Sequence, residues 1–513
     1  MSSPATASRR DVIAGGVAMA ATAGLGGNAV AMTEVLDRHD ALGLAGLVKA
    51  RKVSPTELLE AAIARAEAVN PRLNFMAQRH YERARQLASG ALPDGPFSGV
   101  PWLLKDLNTT LAGEVTENGS RLYRGQKASV TSELVRRIEA AGFVIFGKTT
   151  TPEFGLTGTT ESALYGATRN PWNPEHIAGG SSGGAAVAVA AGVIPAAHAT
   201  DGGGSIRIPA SCCGLFGLKP SRGRVPMGPL RTEGWGGLSV HHAVTRSVRD
   251  SAAILDSTHG IEPGSRFSAP SPERPFLSEV GRDPGRLRIA LMLKPFSGAP
   301  VDPEVLAATR AAALLLEGLG HHVEEAAPVI DYGAIAAGSF ALMAASVAAD
   351  CTDRAKALGI GLGPDVLEQT TLEIVAYGKS CSGMDFVRGN NAYQAAAVAI
   401  AHFMARHDVI LSPTLTAPPL ALGRIGLNTG RSLADWGREA GAFTAFTSIF
   451  NGTGQPSMSL PLAMSASGLP IGVMATGRYG EEALLLRLAG QIERAAPWDK
   501  RRPQINATAA AAP

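Results

Sequence analysis

The chain has 513 residues, of which 45% are hydrophobic and 18% are charged. This composition supports a large buried core and excludes an intrinsically disordered chain. The formal charge of +3 is close to neutral for this length, so we expect no nucleic acid partner. The four cysteines are too few for a disulfide scaffold and are not spaced as metal ligands, so we expect neither a metal nor a cofactor.

The N-terminal segment has the pattern of an export signal. Ser8-Arg9-Arg10-Asp11 precedes a weakly apolar stretch, and Ala29-Val30-Ala31 supplies the small residues of a cleavage site. The segment resembles a twin-arginine signal, from which Val12 and Ala14 depart. The alternative, an N-terminal helix of the folded domain, is disfavoured because the stretch contains many glycines. We expect residues 1–31 to be an export signal and the protein to be periplasmic or secreted.

Alternating helix and strand patterns follow this segment. Ser54-Pro55-Thr56-Glu57 has an N-cap, a proline in the first turn and a glutamate three residues after the cap, which predicts a helix start. Asn70-Pro71 predicts the end of that helix. Further predicted elements are an apolar run at 99–104, a helix at 133–141, strands at 143–146 and 286–293, a helix at 303–319, helices within 333–405, and a strand ending at 409–413. The alternation predicts an α/β fold with a mixed central sheet covered by helices on both sides.

The segment 178–226 is rich in glycine, serine and alanine and almost free of acidic residues. It contains two glycine turns that bear serines, with Ser181 and Ser205 lying 24 residues apart. Glycines beside a serine allow several backbone N–H groups to point at one oxygen, as an oxyanion site requires. A serine nucleophile also needs a base. No aspartate or glutamate lies within 178–200, so the base must come from elsewhere in the chain.

These turns, together with a lysine segment, resemble the motifs of the amidase signature family. In that family the nucleophile is the serine of a Gly-Gly-Ser-Ile-Arg turn, here Ser205. A second serine in Gly-Gly-Ser-Ser-Gly-Gly follows a cis peptide, here Ser181, and the lysine of a Gly-Val-Pro…Lys-Asp segment is the base, here Lys105. Other similar segments are Gly147-Lys148-Thr149, Gly217-Leu218-Lys219-Pro220 and Asn451-Gly452-Thr453-Gly454-Gln455-Pro456. The resemblance implies the amidase signature fold, amide hydrolysis through an acyl-enzyme, and a single catalytic domain over residues 32–513.

The resemblance also implies an oxyanion hole and supporting residues. The predicted residues are Gly202, Gly203 and Gly204 for the oxyanion hole, and Ser182, Asp201 and Arg207 for support. Gly202 departs from the family, in which many members carry Thr or Ile at this place. Ser182 either supports the lysine or caps the following helix, and we expect Asp201 and Arg207 to shape the turn rather than to touch substrate.

The role of Lys105 depends on its surroundings. Burial without a carboxylate partner lowers the pKa of a lysine by several units and makes it a base. Asp106 is its neighbour in sequence, and an ion pair between the two would keep Lys105 charged. Neighbouring residues need not face one another, so the sequence leaves this point open.

Other functions compete with this interpretation. Gly-x-Ser-x-Gly centred on Ser181 or Ser182 would suit an α/β-hydrolase elbow, but the preceding residues 170–176 predict a loop instead of a buried strand. The glycine turns also lack the Gly-Lys-Ser/Thr of a phosphate-binding loop. Two alternatives remain open on the amidase fold: a glutamine-dependent amidotransferase-type subunit, which the export signal disfavours, and a hydrolase of esters or carbamates.

The expected partner is a small-molecule amide that is uncharged or zwitterionic, with an apolar acyl side. Trp102-Leu103-Leu104 leads into Lys105, and residues 333–405 offer few fixed charges. Trp102 and Phe154 could each line an acyl pocket or lie in the core. Three motifs resemble a subgroup of the family that includes a hydrolase of cyclic amides of aminohexanoate. They are Asp201-Gly202-Gly203-Gly204-Ser205, Cys212-Cys213-Gly214-Leu215-Phe216 and Leu103-Leu104-Lys105-Asp106. We expect no stable membrane association, because no later window has 18 uninterrupted apolar residues, and a homodimer is left open.

Overall fold

The structure is a computed structural model that describes residues 34–510, so the predicted export signal lies outside the described residues. The helix start predicted at Ser54 is confirmed by a complete capping box with Glu57. The predicted end is wrong, because Pro71 lies inside the helix and Asn74, with φ of 52°, ends it. The side chain of Asn70 accepts the N–H groups of the two residues after Asn74, and this anchors the chain beyond the proline.

The elements alternate along the chain as predicted. The strands are β1 Met76–Arg79, β2 Pro101–Lys105, β3 Val144–Thr149, β4 Glu161–Ser162, β5 Gly166–Ala167, β6 Ala196–Asp201, β7 Phe216–Lys219, β8 Val240–Thr245, β9 Arg288–Leu291, β10 His322–Glu325, β11 Val409–Pro413, β12 Ser457–Met464 and β13 Pro470–Thr476. The α-helices are α1 Ala41–Lys49, α2 Pro55–Leu73, α3 Tyr81–Ser89, α4 Glu133–Ala140, α5 Gly183–Ala190, α6 Arg207–Cys213, α7 Val248–Thr258, α8 Pro303–Gly318, α9 Tyr332–Leu358, α10 Gln369–Ser380, α11 Gly383–Met404, α12 Leu433–Phe443, α13 Ile449–Gly452, α14 Glu482–Ala495 and α15 Ala507–Ala510.

The largest sheet is mixed, which confirms the predicted fold class. Its eight strands have the order β10-β9-β11-β13-β12-β7-β8-β6. The pairs that β9 makes with β10 and β11 are parallel, whereas the remaining pairs are antiparallel. A second sheet has the order β1-β3-β2, in which β2 and β3 are parallel. The end of β2 lies against β6, so the two sheets meet at the site described below.

Helices cover both faces of the large sheet, as the alternation of its side chains requires. On β9, Ile289 and Leu291 belong to a core that includes residues of α8 and α14. Ala290 between them packs on the opposite side with residues of α9 and α11. The predicted covering of both faces is therefore confirmed.

One described helix, α9, is long and apolar enough to cross a membrane by length and composition. It packs along α10 and α11. Leu342 and Val347 lie on its buried side. The protein interior covers 44% of the apolar window of α9.

Candidate active site

The lysine and the first serine turn come together between the two sheets. Lys105 ends β2, and the two serines of the turn immediately precede α5. Lys105 Nζ lies 2.7 Å from Ser181 Oγ, 2.9 Å from Ser182 Oγ and 2.8 Å from Thr200 Oγ1. Lys105 is fully buried, and Ser181 is 1% exposed. Ser182 Oγ donates to the carbonyl oxygen of Thr200, so it accepts from Lys105. A neutral amine, with two hydrogens and one lone pair, satisfies three such contacts.

The surroundings of Lys105 favour its neutral form. Among residues 34–510, no carboxylate lies within ion-pair distance of Lys105 Nζ. Burial lowers the pKa of Lys105 well below its usual value, and the carboxylate of Asp201 opposes this only in part. The neutral lysine can therefore accept a proton from Ser181.

Asp106 points away from Lys105, which settles the question that the sequence left open. Its carboxylate lies 3.6 Å from Lys148 Nζ and accepts the hydroxyl of Tyr165 at 2.7 Å. Burial raises the pKa of Asp106 to about 6, against the opposing effects of Lys148 and Tyr165. Successive residues at the end of a strand face opposite sides, so this carboxylate belongs to a different buried cluster.

Ser205 lies in a turn that a buried ion pair shapes. The carboxylate of Asp201 accepts the backbone N–H of Gly204 at 2.7 Å and that of Ile206 at 3.1 Å. It also accepts two hydrogen bonds from Arg207, each at 2.9 Å. Burial alone would raise the pKa of Asp201, but the Arg207 guanidinium holds it well below its usual range. Asp201 and Arg207 are thus placed to shape the turn, with Asn451 as a further partner of both.

The backbone of this turn requires one correction to the predicted oxyanion hole. The N–H of Gly204 is already bound by Asp201. The N–H groups of Gly202, Gly203 and Ser205 have no acceptor among residues 34–510. These three groups are the unoccupied donors of the turn, whereas the N–H of Gly204 is occupied. Gly204 itself has φ of 138°, and a Cβ there would lie 2.4 Å from Thr447 Oγ1, which explains the glycine.

Ser182 supports the lysine and does not cap α5. It makes no capping hydrogen bond with the helix. Its Oγ instead accepts from Lys105 Nζ and from the N–H of Thr200 at 3.2 Å. The peptide bond between Gly180 and Ser181 is cis, as the family resemblance implied.

Sequence reasoning missed Thr200 and His198, which lie on the same face of β6. Thr200 binds Lys105 Nζ, and His198 Nδ1 accepts the backbone N–H of Lys105 at 3.1 Å. The available signal was the period of the strand before the Ser205 turn, because alternate residues of a strand share a face.

A cavity of about 770 Å³ lies between the loop 227–236 and α9, and neither Ser181 nor Ser205 is among the residues that line it. Phe154 and Trp235 line it. The residue after Phe154 is Gly155, where a Cβ would lie 3.0 Å from Ser181 Oγ. The ring of Trp235 lies over the other turn, because a Cβ on Gly202 would be 2.8 Å from it. The unusual Gly202 therefore makes room for Trp235.

The pocket predictions need two adjustments. Trp102 lies in the core with its ring centroid 4.4 Å from that of Phe143, and it is not among the residues that line the cavity, whereas Phe154 is. The expectation of few fixed charges from 333–405 is wrong for the cavity rim, because Asp350, Asp353 and Arg354 of α9 all line it. Asp350 is paired with Arg231, so both signs of charge are present.

One segment outside the glycine turns bears on the phosphate-loop alternative. Gly142 to Thr149 has the spacing of a phosphate-binding loop, including Gly147-Lys148-Thr149. Residues Val144–Thr149 are instead a fully buried strand, and Lys148 lies beside Asp106. The backbone N–H groups of a strand are used in pairing, so this segment cannot cradle a phosphate.

Comparisons with known proteins identify the family and the fold. The amidase family profile matches residues 57–486. The 6-aminohexanoate-cyclic-dimer hydrolase of Paenarthrobacter ureafaciens is 40% identical over 487 residues, which covers 91% of this chain and 97% of that protein. A solved structure of 6-aminohexanoate cyclic dimer hydrolase complexed with substrate is similar at TM-score 0.87 and 39% identity, covering 91% of this chain and 99% of the other. A bacterial aryl acylamidase of the amidase signature family is similar at TM-score 0.82 and 26% identity, covering 93% and 99% respectively.

Proposed function

The chain belongs to the amidase family and is a hydrolase of carbon–nitrogen bonds, and we propose that it cleaves carboxamides through an acyl-enzyme on Ser205. The observation that carries this proposal is the fully buried Lys105, which has no acidic partner among the described residues and binds Ser181 at 2.7 Å. A buried lysine in this state is a base at neutral pH.

The reaction divides into two proton-balanced halves. Lys105 takes the proton of Ser181, Ser181 takes that of Ser205, and Ser205 Oγ bonds to the carbonyl carbon of the amide. The carbon–nitrogen bond then breaks, and the proton returns through Ser181 to the leaving amine. Water attacks the acyl-enzyme with Lys105 again accepting the proton, and this releases the acid and restores Ser205. Ser205 is the most exposed of the three at 8%, which suits the residue that meets the substrate.

Charge on the carbonyl oxygen is stabilised by backbone N–H groups. Those of Gly202, Gly203 and Ser205 are free of other acceptors in the described part of the chain, and Asp201 holds the turn that carries them. Donors that are already oriented stabilise the oxyanion without reorganising during the reaction.

We infer that the substrates are linear or cyclic aminohexanoate-type amides, or aryl and alkyl amides. The similarity to a 6-aminohexanoate-cyclic-dimer hydrolase and to an aryl acylamidase supports this substrate class. The cavity of about 770 Å³ is large enough for such molecules. Its apolar walls include Phe154, which precedes Gly155 beside Ser181, and Trp235, which lies over Gly202. The rim carries both Arg231 and Asp350, which suits substrates that are uncharged or zwitterionic.

A substrate panel with two matched lysine variants tests the proposal. The panel contains primary amides, anilides, cyclic diamides, esters, carbamates and glutamine. Lys105→Met should lower kcat on amides by about a thousandfold or more, whereas Lys219→Met should retain activity. Lys219 is equally buried, and burial lowers its pKa to about 7. Among residues 34–510, however, its Nζ binds only the carbonyl oxygen of Pro220. Turnover of glutamine alone, or ester cleavage that Lys105→Met leaves unchanged with no amide cleaved, would contradict the proposal.

We further propose export through the twin-arginine pathway, on the pattern around Arg9 and Arg10. The natural host should hold the enzyme outside its cytoplasm. Replacing both arginines by lysine should leave it inside, as measured by cell fractionation. An unchanged distribution would contradict this proposal.

A further inference from the structure

Two buried histidines connect the backbone of Lys105 to the large sheet. His198 Nδ1 accepts the N–H of Lys105 at 3.1 Å, and His198 Nε2 lies 3.0 Å from His241 Nδ1. His198 is fully buried and His241 is 2% exposed. Thr200, which faces His241 across the β6–β8 pair, binds Lys105 Nζ from the same face. One face of β6 therefore contacts both the backbone and the amine of the lysine.

Counting hydrogens determines the protonation of both rings. A backbone N–H can only donate, so His198 Nδ1 must carry a lone pair. A neutral ring then carries its hydrogen on Nε2, and that hydrogen points at His241 Nδ1. His241 Nδ1 must in turn carry a lone pair, which leaves its own hydrogen on Nε2. Both rings are neutral, and both are the Nε2-protonated tautomer.

The charge of His198 matters because Lys105 must be neutral to act as the base. The charged group that acts on the amine is Asp201, from the end of β6. A second carboxylate at the position of His198 would raise the pKa of Lys105 and keep it protonated. A neutral imidazole accepts the same hydrogen bond and adds no charge.

Burial keeps the two rings neutral across the working pH range. It lowers the pKa of His198 well below its usual value, and the neighbouring His241, Lys105, His242 and Lys148 act in the same direction. It also lowers the pKa of His241 to about 3. The hydrogen-bond count and the electrostatics therefore agree.

We propose that His198, held in one tautomer by His241, is a positioning residue that fixes the strand end carrying Lys105 without supplying a charge to it. This inference rests on the proposed function of Lys105 as the base. It gives His198 no contact with substrate, so its removal should change kcat more than KM.

The same strand pair supplies a matched control. His242 follows His241 in sequence and is also 2% exposed. Its Nε2 lies 2.8 Å from Ser251 Oγ, on the opposite face of the sheet. His242→Leu thus removes an equally buried imidazole that does not contact Lys105, and it should leave the pH profile of wild type unchanged.

Three replacements of His198 separate hydrogen bonding from charge, with a 4-nitroanilide of hexanoic acid as the substrate. In His198→Asn the side-chain oxygen can take the place of Nδ1, so kcat should stay within about threefold of wild type. His198→Leu removes the acceptor and should lower kcat about tenfold or more with little change in KM. His198→Asp should move the acid limb of kcat/KM to higher pH by about one unit or more, because the carboxylate favours protonated Lys105.

A second measurement is made on the wild-type protein, and variants are used only to assign its signals. Nitrogen spectra of protein labelled with ¹⁵N-histidine should show both rings as the Nε2-protonated tautomer at pH 6 and at pH 9, with His198→Asn and His241→Asn used for assignment. A tautomer with hydrogen on Nδ1, titration of either ring in this range, a fully active Leu variant, or an unshifted Asp variant would overturn the proposal. Full amide activity in Lys105→Met would instead refute the proposed function, so the two failures are distinguishable.

Discussion

Two irregular segments form the site, the turn around Ser205 and the loop 226–238, and they are held in different ways. The turn is anchored by a fully buried carboxylate that binds two backbone N–H groups and Arg207. The loop carries Trp235, and at its start the buried carboxylate of Glu262 accepts the N–H groups of Met227 and Gly228. Its ion pairs, however, use exposed arginines: Arg231 and Arg266 have side chains that are 64% and 71% exposed. Exposed pairs stabilise a protein by only about 0–1 kcal/mol each. The turn that carries Ser205 is therefore held by a buried ion pair, whereas the part of the loop around Arg231 and Glu233 can change without loss of the fold.

The largest effect should come from the turn itself. Ser205→Ala should lower kcat by about 10,000-fold or more and abolish covalent labelling by a fluorophosphonate, because no acyl-enzyme can form. The fold should be unaffected, since Ser205 Oγ has no hydrogen-bond partner in the described part of the chain. Labelling and circular dichroism measure the two outcomes. Full labelling of the variant would assign the nucleophile to Ser181 or Ser182 instead.

The same chemical change at the ion pair of each segment tests the comparison directly. Asp201→Asn leaves Arg207 buried without a countercharge and should destabilise the protein by about 3–5 kcal/mol, with a large loss of kcat. Asp350→Asn breaks the exposed pair with Arg231 and should cost about 1 kcal/mol or less, with any effect confined to KM. Denaturant unfolding and steady-state kinetics measure both. Equal destabilisation by the two substitutions would refute the contrast.

A change where the two segments meet should alter selectivity. Gly202→Thr introduces the residue that many family members carry, and its side chain must displace the ring of Trp235. We expect kcat/KM for bulky anilides to fall about tenfold or more relative to acetamide. Gly202→Thr combined with Trp235→Ala should recover part of the loss. If the single variant lowers kcat/KM equally for bulky anilides and for acetamide, the effect comes from the oxyanion donors and not from the displaced ring of Trp235.

The smallest effect should come from removal of the N-terminal segment, the predicted export signal. Protein comprising residues 32–513 should have the kcat and melting temperature of the full chain, because we predict that residues 1–31 are a targeting signal that precedes the catalytic domain. Thermal unfolding and amide turnover check this. A truncated protein that does not fold would show that the segment is structural, and the export proposal would lose its basis.

Much of the fold could be predicted because its signals are local. The capping box at Ser54 lies within one helical turn, and the strand predicted to end at 409–413 is Val409–Pro413 in the structure. Pro71 shows the limit of such signals. The contacts of the Asn70 side chain beyond the helix depend on where the following strand is placed.

The sequence by itself determined the family motifs, the order of the elements and the candidate residues Lys105, Ser181 and Ser205. Only the tertiary structure decided that Asp106 faces Lys148 instead of Lys105 and that the N–H of Gly204 is already bound by Asp201. It also decided that His198 accepts the backbone N–H of Lys105, from which it is separated by 93 positions in the chain. The physical reason is separation along the chain. Caps, turns and periodicity depend on residues a few positions apart, whereas hydrogen-bond partners and burial depend on how β2, β6 and the loop 226–238 pack together.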